Sequence, residues 1–481
     1  MFQMWVLCHL WLSSVTRAGD MPVSRRELRG IVVLDVGATN VKGVLLDAGL
    51  SLHAEESVPS VRRGDPPYLS IDTQPIIDLA RTILPQFDSI LPVDAIVPCA
   101  HGSAAALLDS AGELALPIMS YEAEPPEEIV SGYAEIAPRF EEVFAPTNPL
   151  ALTLGRQLHW QETLFPDAFA RATTILPLAQ YVAFRLYGRL ANEVSAMGAQ
   201  THLWAPLRRD YSALARRRNW SSRFPPLRPA WQSLGCARDI PVRGRAHVLT
   251  GVHDSNANLL PYLSGKPATL LSTGNWIIGC AQGIDIETLD PARDQVSNTT
   301  VFGDPIASCR FMGGRELEIV SDGAPPELAS TEAVGDLLDR GVSAWPSFTT
   351  SGGPVPNSGG RGRIEGIVEN ARERASLAAL YCAQMSALAL EQIGANGRVI
   401  VDGPFAAHET YLRVLAACLP DQEVLAATGK SGTAVGAAAL ALLSVEERAR
   451  IPAPDLRRIT TPRNLENNDK LRRWFDKVDS L

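Results

Sequence analysis

The polar residues Asp35, Thr39, Asn40 and Lys42 stand inside a largely apolar segment, residues 31–49, whose letters are IVVLDVGATNVKGVLLDAG. The segment is typical of two strands joined by a tight turn of small residues. Asp35 and Lys42 would be costly inside such strands unless each met a partner or water at the strand ends. The turn and the hydroxyl of Thr39 could approach phosphate oxygens closely, and the Asp35 carboxylate could organise Mg²⁺ through water. The alternative is an ordinary hairpin whose turn residues only reverse the chain.

Two histidines occupy further turns that follow apolar segments. His101-Gly102 comes after a short strand predicted over residues 94–99, at the end where α/β folds keep their ligands. His253-Asp254 lies at the start of a predicted helix, where polar residues also serve as caps. The alternatives are therefore a turn histidine at 101 and a helix-capping role for Asp254.

A second hairpin is predicted over residues 268–283, ATLLSTGNWIIGCAQG, with Ser-Thr-Gly-Asn as its turn. It repeats the shape of the first hairpin without repeating its letters. Two such hairpins in two halves suggest duplicated domains that face each other, with phosphates between them.

The remaining glycine-rich segments are less specific. A strand over 398–401 runs into Asp402-Gly403, and residues 428–443 form a glycine-rich turn that opens an alanine-rich helix. Such a helix is expected to pack close to a neighbour or a ligand. Residues 311–316 are predicted to be a loop and residues 351–362 a flexible linker. Three residues of a helical segment are candidates for a substrate wall: Gln157, His159 and Trp160.

Composition limits the class of protein. A chain of 481 residues with 46% hydrophobic and 20% charged residues is expected to form two globular domains, or three. The net charge of −9 argues against a nucleic-acid partner, which usually requires a basic face. The seven cysteines show no C-x-x-C spacing, so reduced thiols in a cytoplasmic protein are expected rather than zinc or disulfides.

The two ends of the chain carry weaker signals. Residues 1–28 are predicted to be a leader, disordered or a start-site artefact, because the apolar stretch at 1–12 is too short for a membrane span and makes a poor signal peptide. Residues 451–481 are predicted to be a C-terminal tail. No membrane partner is expected.

Four motifs occur in a fixed order: D-V-G-A-T-N-V-K at 35–42, G-V-H-D at 251–254, S-T-G-N-W at 272–276, and D-G-P-F at 402–405 before the glycine-rich helix start. In this order and spacing the chain resembles the FGGY family of carbohydrate kinases across roughly residues 29–450. The resemblance implies an α/β fold of two actin-like ATPase (ribonuclease H-like) domains, with mixed sheets flanked by helices and the active-site cleft between them. It places the N-terminal domain at 29–245 and the C-terminal domain at 246–450.

The resemblance also implies roles for individual residues. Asp254 matches the catalytic base, and Asp35 would lie near Mg²⁺. His101, Gly102 and His253 would join Asp254 in the sugar site. The positions that match ATP-binding residues of the family lie on both hairpins and in the C-terminal glycine-rich segments: Gly37, Thr39, Asn40, Lys42, Thr273, Gly274, Gly403 and Gly432.

The chain also departs from the family pattern, with Asp402 in place of a glycine and Asn275 in place of a threonine. The segments G-V-H-D-S-N-A and F-M-G-G-R-E look like the L-fuculose and L-rhamnulose kinase side of the family. The expected activity is ATP-dependent phosphorylation of a ketose or deoxyketose by a cytoplasmic enzyme, with a homodimer as a possible state. The alternatives are a kinase of a polyol or sugar acid, and a non-catalytic nucleotide-gated binding protein on the same fold.

Overall fold

The computed structural model describes residues 28–64, 66–263, 267–350, 352–429, 432–445, 451–452, 454–466 and 468–478. The predicted leader, apart from Leu28, lies outside the described residues. Along the described chain the strands are β1 (Gly30–Val36), β2 (Asn40–Asp47), β3 (Leu52–Pro59), β4 (Val61–Arg63), β5 (Ser70–Asp72), β6 (Val93–Ala100), β7 (Ala105–Leu108), β8 (Leu114–Leu116), β9 (Thr174–Pro177), β10 (Trp204–Ala205), β11 (Asp210–Tyr211), β12 (Ser233–Cys236), β13 (His247–Leu249), β14 (Val252–His253), β15 (Ala268–Thr273), β16 (Ile277–Ala281), β17 (Gln295–Thr299), β18 (Pro305–Phe311), β19 (Ser343–Trp345), β20 (Arg363–Glu365), β21 (Arg398–Asp402), β22 (Glu423–Ala427) and β23 (Leu456–Arg458).

The helices of the same residues are α1 (Gln74–Ile90), α2 (Glu127–Ile136), α3 (Phe140–Val143), α4 (Leu154–Leu164), α5 (Pro166–Arg171), α6 (Leu178–Tyr187), α7 (Val194–Met197), α8 (Ala213–Arg217), α9 (Asp254–Leu259), α10 (Gly313–Ser321), α11 (Thr331–Asp339), α12 (Ala371–Gln392), α13 (Glu409–Cys418), α14 (Gly432–Val445) and α15 (Asp469–Val478). No helix among the described residues combines the length and apolar composition that crossing a membrane requires.

Two large mixed sheets organise the chain. The first sheet has the order β12-β13-β6-β1-β2-β3, with β14 also paired to β6. The second sheet has the order β17-β18-β16-β15-β21-β22-β23. In each, an antiparallel hairpin is extended on one side by an antiparallel strand and on the other by two parallel strands. The duplication predicted from the two hairpins is confirmed, and the fold is the two-domain actin-like arrangement expected.

The first sheet is buried on both faces, which is why β1 is apolar at nearly every position. Val32 and Leu34 pack on one face with α1 and α6, whereas Ile31 and Val33 pack on the other face with α9 and α14. Helix α14 approaches α9 closely, because a Cβ at Gly436 would lie 1.8 Å from the carbonyl oxygen of Ala257. The close packing expected of this small-sided helix is confirmed.

The domain boundary predicted at residue 246 falls before the last strands of the first sheet. Strand β13 pairs with β6 and β14 pairs with β6, so residues 247–253 belong to the first sheet. Helices α9 and α14 also cover the first sheet, because its apolar face needs a second layer that the preceding residues do not supply. Within and just after α9, Ala257 and Leu260 face the first core, and Leu259 faces a cluster on the second sheet.

The C-terminal segment, for which the sequence suggests a tail or a last helix, contains a strand and a helix among the residues described. Strand β23 extends the second sheet beside β22. On α15, Trp474 stacks on Trp345 and its Nε1 donates to the carbonyl oxygen of Ala344 at 2.9 Å. Helix α15 is amphipathic, and its apolar face packs into the core around the second sheet.

Candidate active site

Asp254 begins α9 at the carboxyl end of β14, and His253 precedes it at the N-cap position. Oδ1 of Asp254 accepts hydrogen bonds from the backbone N–H of Ser255 at 2.6 Å and from the Ser255 hydroxyl at 3.2 Å. No described residue forms a hydrogen bond with Oδ2, and the side chain is 30% exposed. One carboxylate oxygen is therefore anchored while the other remains available to a ligand.

His253 lies beside this carboxylate with a defined orientation. Its Nδ1 faces the side-chain amide nitrogen of Asn256 at 3.2 Å, and an amide nitrogen can only donate. This assigns the ring proton to Nε2, which lies 3.4 Å from Oδ1 of Asp254. Gly102 leaves room for the ring, because a Cβ there would lie 2.8 Å from Nε2 of His253.

Glu193, which sequence reasoning missed, holds the backbone of His253 through Ser195. The backbone N–H of His253 donates to Oγ of Ser195 at 3.2 Å, and that hydroxyl donates to Glu193. Glu193 is fully buried and also accepts from the backbone N–H groups of Ser195 and Ala196. Burial raises the pKa of Glu193 to about 7, although these donors lower it. Nothing in the sequence pattern marked this residue, because its role depends on a neighbour sixty positions away.

His101 directly follows the adjacent strand β6, as predicted. Its Nδ1 donates to the carbonyl oxygen of Gly102 at 2.8 Å, and its ring packs edge-on against Tyr121 with centroids 5.3 Å apart. Burial lowers the pKa of His101, so the ring is neutral near pH 7.

Asp35 meets Asp254 at the same edge of the first sheet. Both Asp35 in β1 and Val252 in β14 pair with Cys99 of the strand between them. Burial and the charge of Asp254 raise the pKa of Asp35 to about 7, and Lys42 partly opposes that rise. The site thus holds two neighbouring carboxylates, and the charge of Asp254 disfavours ionisation of Asp35.

Lys42 stands directly opposite Asp35 in the hairpin. Its Nζ lies 3.6 Å from Oε1 of Glu55, and the two side chains are 43% and 35% exposed. This contact is a loose surface ion pair of the kind that contributes little to stability.

The turn of the first hairpin is closed by a hydrogen bond from the N–H of Gly37 to the carbonyl oxygen of Asn40 at 3.0 Å. The carbonyl oxygen of Thr39 accepts from the N–H of Ser60 at 2.9 Å, which ties the turn to the chain beyond β3. Thr39 and Asn40 are exposed. The turn is thus held by its backbone, while its side chains stay open to solvent.

Thr273, at the end of β15, uses its hydroxyl for hydrogen bonds within the protein. Its hydroxyl donates to the carbonyl oxygen of Asp402 at 2.6 Å and accepts from the N–H of Phe405 at 3.1 Å. The residue is 7% exposed. The hydroxyl hydrogen is therefore already used inside the protein, and the expected contact of Thr273 with ATP stays a prediction.

Gly403 and Gly432 gather at the same place. Gly403 has φ +89°, and a Cβ there would lie 2.1 Å from the carbonyl oxygen of Thr273. A Cβ at Gly432, the first residue of α14, would lie 2.3 Å from Oδ1 of Asn258 and 2.5 Å from Oδ2 of Asp402. Residues predicted from separate motifs therefore converge; Gly403 is restricted to glycine by its φ and by backbone, whereas a side chain at Gly432 would have to displace those of Asn258 and Asp402.

Gly274 lies on the turn itself and is less restricted. The nearest atom to a Cβ there would be the carbonyl oxygen of Trp276 at 3.8 Å. The start of α10 closes on this turn, because the N–H of Gly314 donates to the carbonyl oxygen of Asn275 at 3.2 Å. The prediction of a loop over residues 311–316 is wrong, since these residues end β18 and begin α10.

A cavity of about 550 Å³ separates the two halves, a size typical of small-molecule sites. The four predicted sugar-site residues, His101, Gly102, His253 and Asp254, all line it. Sequence reasoning missed several polar residues of its wall, and these are Asn148, Gln200, Asp294, Asn298 and Arg310.

The predicted linker over residues 351–362 forms another wall of this cavity, through the described residues 352–353, 355–357 and 359. It is held internally, since Oγ of Ser347 and Oγ of Ser358 lie 2.7 Å apart and the N–H of Gly360 donates to the carbonyl oxygen of Thr349 at 2.8 Å. Glycine content indicated flexibility, but Gly352 has φ +79° and packs against Asp294.

Gln157, His159 and Trp160 do not line the cavity. The side chain of Gln157 donates to the carbonyl oxygens of Ser103 at 2.7 Å and Ala151 at 2.6 Å. It supports the wall from behind rather than facing a substrate.

The chain is similar to carbohydrate kinases both in sequence and in structure. Residues 265–450 match the C-terminal domain of the FGGY carbohydrate kinases. A carbohydrate kinase from Novosphingobium aromaticivorans is 32% identical, with a TM-score of 0.84 over 95% of this chain and 99% of that one. No curated protein sequence matches significantly.

More distant solved structures share the fold. A ligand-bound xylulose kinase from Lactobacillus acidophilus is 14% identical, with a TM-score of 0.76 over 94% of this chain and 97% of that one. A glycerol kinase from Plasmodium falciparum with ADP is 12% identical, with a TM-score of 0.74 over the same shares of the two chains. With a 32% identical relative spanning nearly its full length, the chain belongs to the FGGY family of carbohydrate kinases.

Proposed function

We propose that this carbohydrate kinase transfers the γ-phosphoryl group of ATP to a hydroxyl of a ketose or deoxyketose, with Asp254 as the general base. The observation that carries this proposal is the Asp254 carboxylate, whose Oδ1 is fixed by Ser255 while Oδ2 is left for a ligand at the cavity wall. A fixed carboxylate with one free oxygen suits acceptance of a hydroxyl proton. His253, His101 and Gly102 surround the position of the acceptor.

The nucleotide side is assigned to the two hairpins and the α14 start. The backbone of the first turn, with Thr39 and Asn40, and the turn at Gly274 offer N–H groups to phosphate. Thr273 shapes the neighbouring turn, because it holds the backbone of Asp402 and Phe405. Gly403 and Gly432 keep side chains out of the space expected for adenosine.

Asp35 fits a role beside Mg²⁺. The residues described contain no cluster of three or more His, Cys, Asp or Glu that would form an all-protein cage, and Mg²⁺ usually needs only one or two carboxylates with substrate phosphates. Burial and, after it, the charge of Asp254 raise the pKa of Asp35, and a divalent cation beside this carboxylate would favour its ionised form. When bound, Mg²⁺ neutralises charge on the phosphates.

The charges of the cavity favour a neutral acceptor over a sugar acid. Among its described lining residues the only Lys or Arg is Arg310, and its guanidinium pairs with Asp294 at 2.9 Å with both side chains mostly buried. A substrate carboxylate would require an unpaired cation. The likeness of G-V-H-D-S-N-A and F-M-G-G-R-E to L-fuculose and L-rhamnulose kinases supports a ketose in particular.

The test is ADP release with purified protein and a panel of acceptors: D-xylulose, L-ribulose, L-fuculose, L-rhamnulose, glycerol, D-gluconate and none. The expected result is the highest kcat/KM for one of the four ketoses. A preference for D-gluconate or glycerol would contradict the proposed substrate class. ADP release that no acceptor increases would contradict the proposed reaction.

A further inference from the structure

Arg310 occupies the cavity wall but plays no part in the chemistry assigned so far. It lies on β18 in the second half, and its side chain is 15% exposed. Its Nε donates to Oδ1 of Asp294 at 2.9 Å. Its Nη1 and Nη2 donate to Oε1 of Gln200 and Oδ1 of Asn148, each at 2.6 Å. One planar guanidinium therefore holds a carboxylate of its own half and two carboxamide oxygens of the other half.

These contacts decide which atoms Asn148 and Gln200 can offer to a ligand. With both oxygens taken by Arg310, the amide nitrogens remain, and an amide nitrogen only donates. Nδ2 of Asn148 makes a long contact of 3.4 Å to Oε1 of Gln200, and no described residue forms a hydrogen bond with Nε2 of Gln200. Both residues line the cavity, so its wall offers hydrogen-bond donors.

The rest of the network is fixed. The backbone N–H of Asn148 donates to Oγ1 of Thr153 at 3.0 Å, and its carbonyl oxygen accepts from Arg156. The guanidinium carbon of Arg310 lies 5.5 Å from the ring centroid of Trp276, on the second hairpin. Without Arg310, each carboxamide could turn over and present its oxygen instead, because the two orientations fill the same space.

We infer that Arg310 is a positioning residue for the acceptor, orienting Asn148 and Gln200 so that their N–H₂ groups bind oxygen atoms of the sugar. This inference rests on the proposed function, since it assigns the cavity to the acceptor. An open-chain ketose offers a carbonyl oxygen that can only accept, so a wall of donors suits it. A lysine could not replace Arg310, because it lacks the planar fork that reaches three acceptors at once.

Two substitutions test the inference from opposite sides. Arg310→Lys keeps the charge beside Asp294 but frees the carboxamides. Gln200→Glu keeps an acceptor for Arg310 but removes the donor. Each is expected to raise KM for the panel acceptor with the highest kcat/KM by about tenfold, the equivalent of one hydrogen bond, and to leave KM for ATP within about twofold. Arg315→Lys is the matched control, because Arg315 forms an exposed ion pair with Glu318 at 2.9 Å.

The outcomes separate this inference from simpler explanations. A lower melting temperature with both KM values unchanged would show a purely structural role and overturn it. Equal rises in KM for sugar and ATP would also overturn it, because they would indicate a general disturbance of the cleft. If Arg310→Lys does not fold, Gln200→Glu still decides, since it retains the contact with Arg310. Failure of the proposed function appears separately, as a wild-type enzyme that turns over no ketose.

Discussion

The hairpins β1–β2 and β15–β16 occupy equivalent places in the two sheets but carry different interactions. The first places Asp35 and Lys42 opposite each other, close to Asp254 and to a surface glutamate. The second places a buried Thr273, whose hydroxyl holds the backbone at residues 402–405. One hairpin contributes charge to the site, and the other contributes shape.

This difference shows that a duplicated topology does not duplicate roles. The same strand order gives the two turns equivalent places, but among the described residues Trp276 of the second turn lines the cavity and no residue of the first turn does. Thr39 and Asn40 of the first turn are exposed, whereas Thr273, which leads into the second turn, is buried against the loop after β21. Loss of the Asp254 carboxylate should therefore change turnover, whereas loss of the contacts around Thr273 and Gly403 should change stability and nucleotide binding together.

Asp254→Asn is expected to have the largest effect. It keeps Oδ1 as an acceptor for Ser255, so folding should be retained. It can no longer take a proton, and a general base typically contributes about 10²–10⁴-fold to the rate. Turnover at saturating sugar and ATP, measured beside the melting temperature, checks this. Asp285→Asn, at the exposed N-cap of a short 3₁₀ helix, is the control. Normal turnover in a variant that melts lower would leave Asp254 only a structural role.

Gly403→Ala, beside the second hairpin, should lower the free energy of unfolding more than the loss of a single hydrogen bond does. Gly403 has φ +89° and ψ −165°, a region that only glycine adopts readily, at a cost of roughly 1–3 kcal/mol for other residues. The added Cβ would also meet the carbonyl oxygen of Thr273 at 2.1 Å. Denaturant unfolding measures the loss. Gly274→Ala, with its nearest neighbour at 3.8 Å, should unfold like the wild type and raise only KM for ATP. Equal stability of the two variants would contradict the steric distinction.

Glu193→Gln tests the protonation of the buried Glu193 carboxyl through the pH dependence of the free energy of unfolding. The pKa of Glu193 is raised by burial from 4.5 to about 7, so the folded protein binds this proton more tightly than the unfolded chain does. The stability that this proton contributes is complete below pH 4.5 and is lost as the pH rises to about 7. The free energy of unfolding of the wild type should fall across that window by up to about 3 kcal/mol more than that of the variant. Parallel curves for the two proteins would show that Glu193 is ionised throughout.

Thr273→Val should cost about 1–3 kcal/mol of stability, because it leaves the carbonyl oxygen of Asp402 and the N–H of Phe405 without their buried partner. KM for ATP should rise with it, since the displaced loop carries Gly403, whereas sugar affinity should change little. Thr82→Val removes an exposed hydroxyl contact at 2.8 Å and serves as the control. A rise in KM for the sugar alone would refute this assignment of the second hairpin.

Lys42→Met should have the smallest effect on stability, roughly 0–1 kcal/mol, because its ion pair with Glu55 is loose and partly exposed. Lys470→Met, in an exposed ion pair with Asp339 at 2.7 Å, is the matched control. The discriminating measurement is KM for ATP. A change of less than about twofold, as in the control, would confine Lys42 to the surface pair, whereas a larger change would place it on phosphate.

The sequence alone determined the features that depend on local chemistry and order. Turn residues flanked by apolar runs predicted both hairpins, and the order of four motifs predicted the two-domain fold. The predicted sugar-site residues line one cavity because the ends of neighbouring parallel strands meet at one edge of a sheet. The small residues of α14 predicted its close packing against α9.

Only the tertiary structure decided which partners the polar groups find. The Thr273 hydroxyl faces Asp402, and Arg310 faces Asn148 and Gln200, across 129, 162 and 110 positions of the chain. Helices α9 and α14, which lie beyond the predicted boundary, pack on an apolar face of the first sheet. Burial depends on which residues are close in space and not on which are close in sequence. The glycine-rich loop at 352–359 forms a wall for the same reason, because Gly352 packs against Asp294 and Ser358 contacts Ser347, and no local pattern records these contacts.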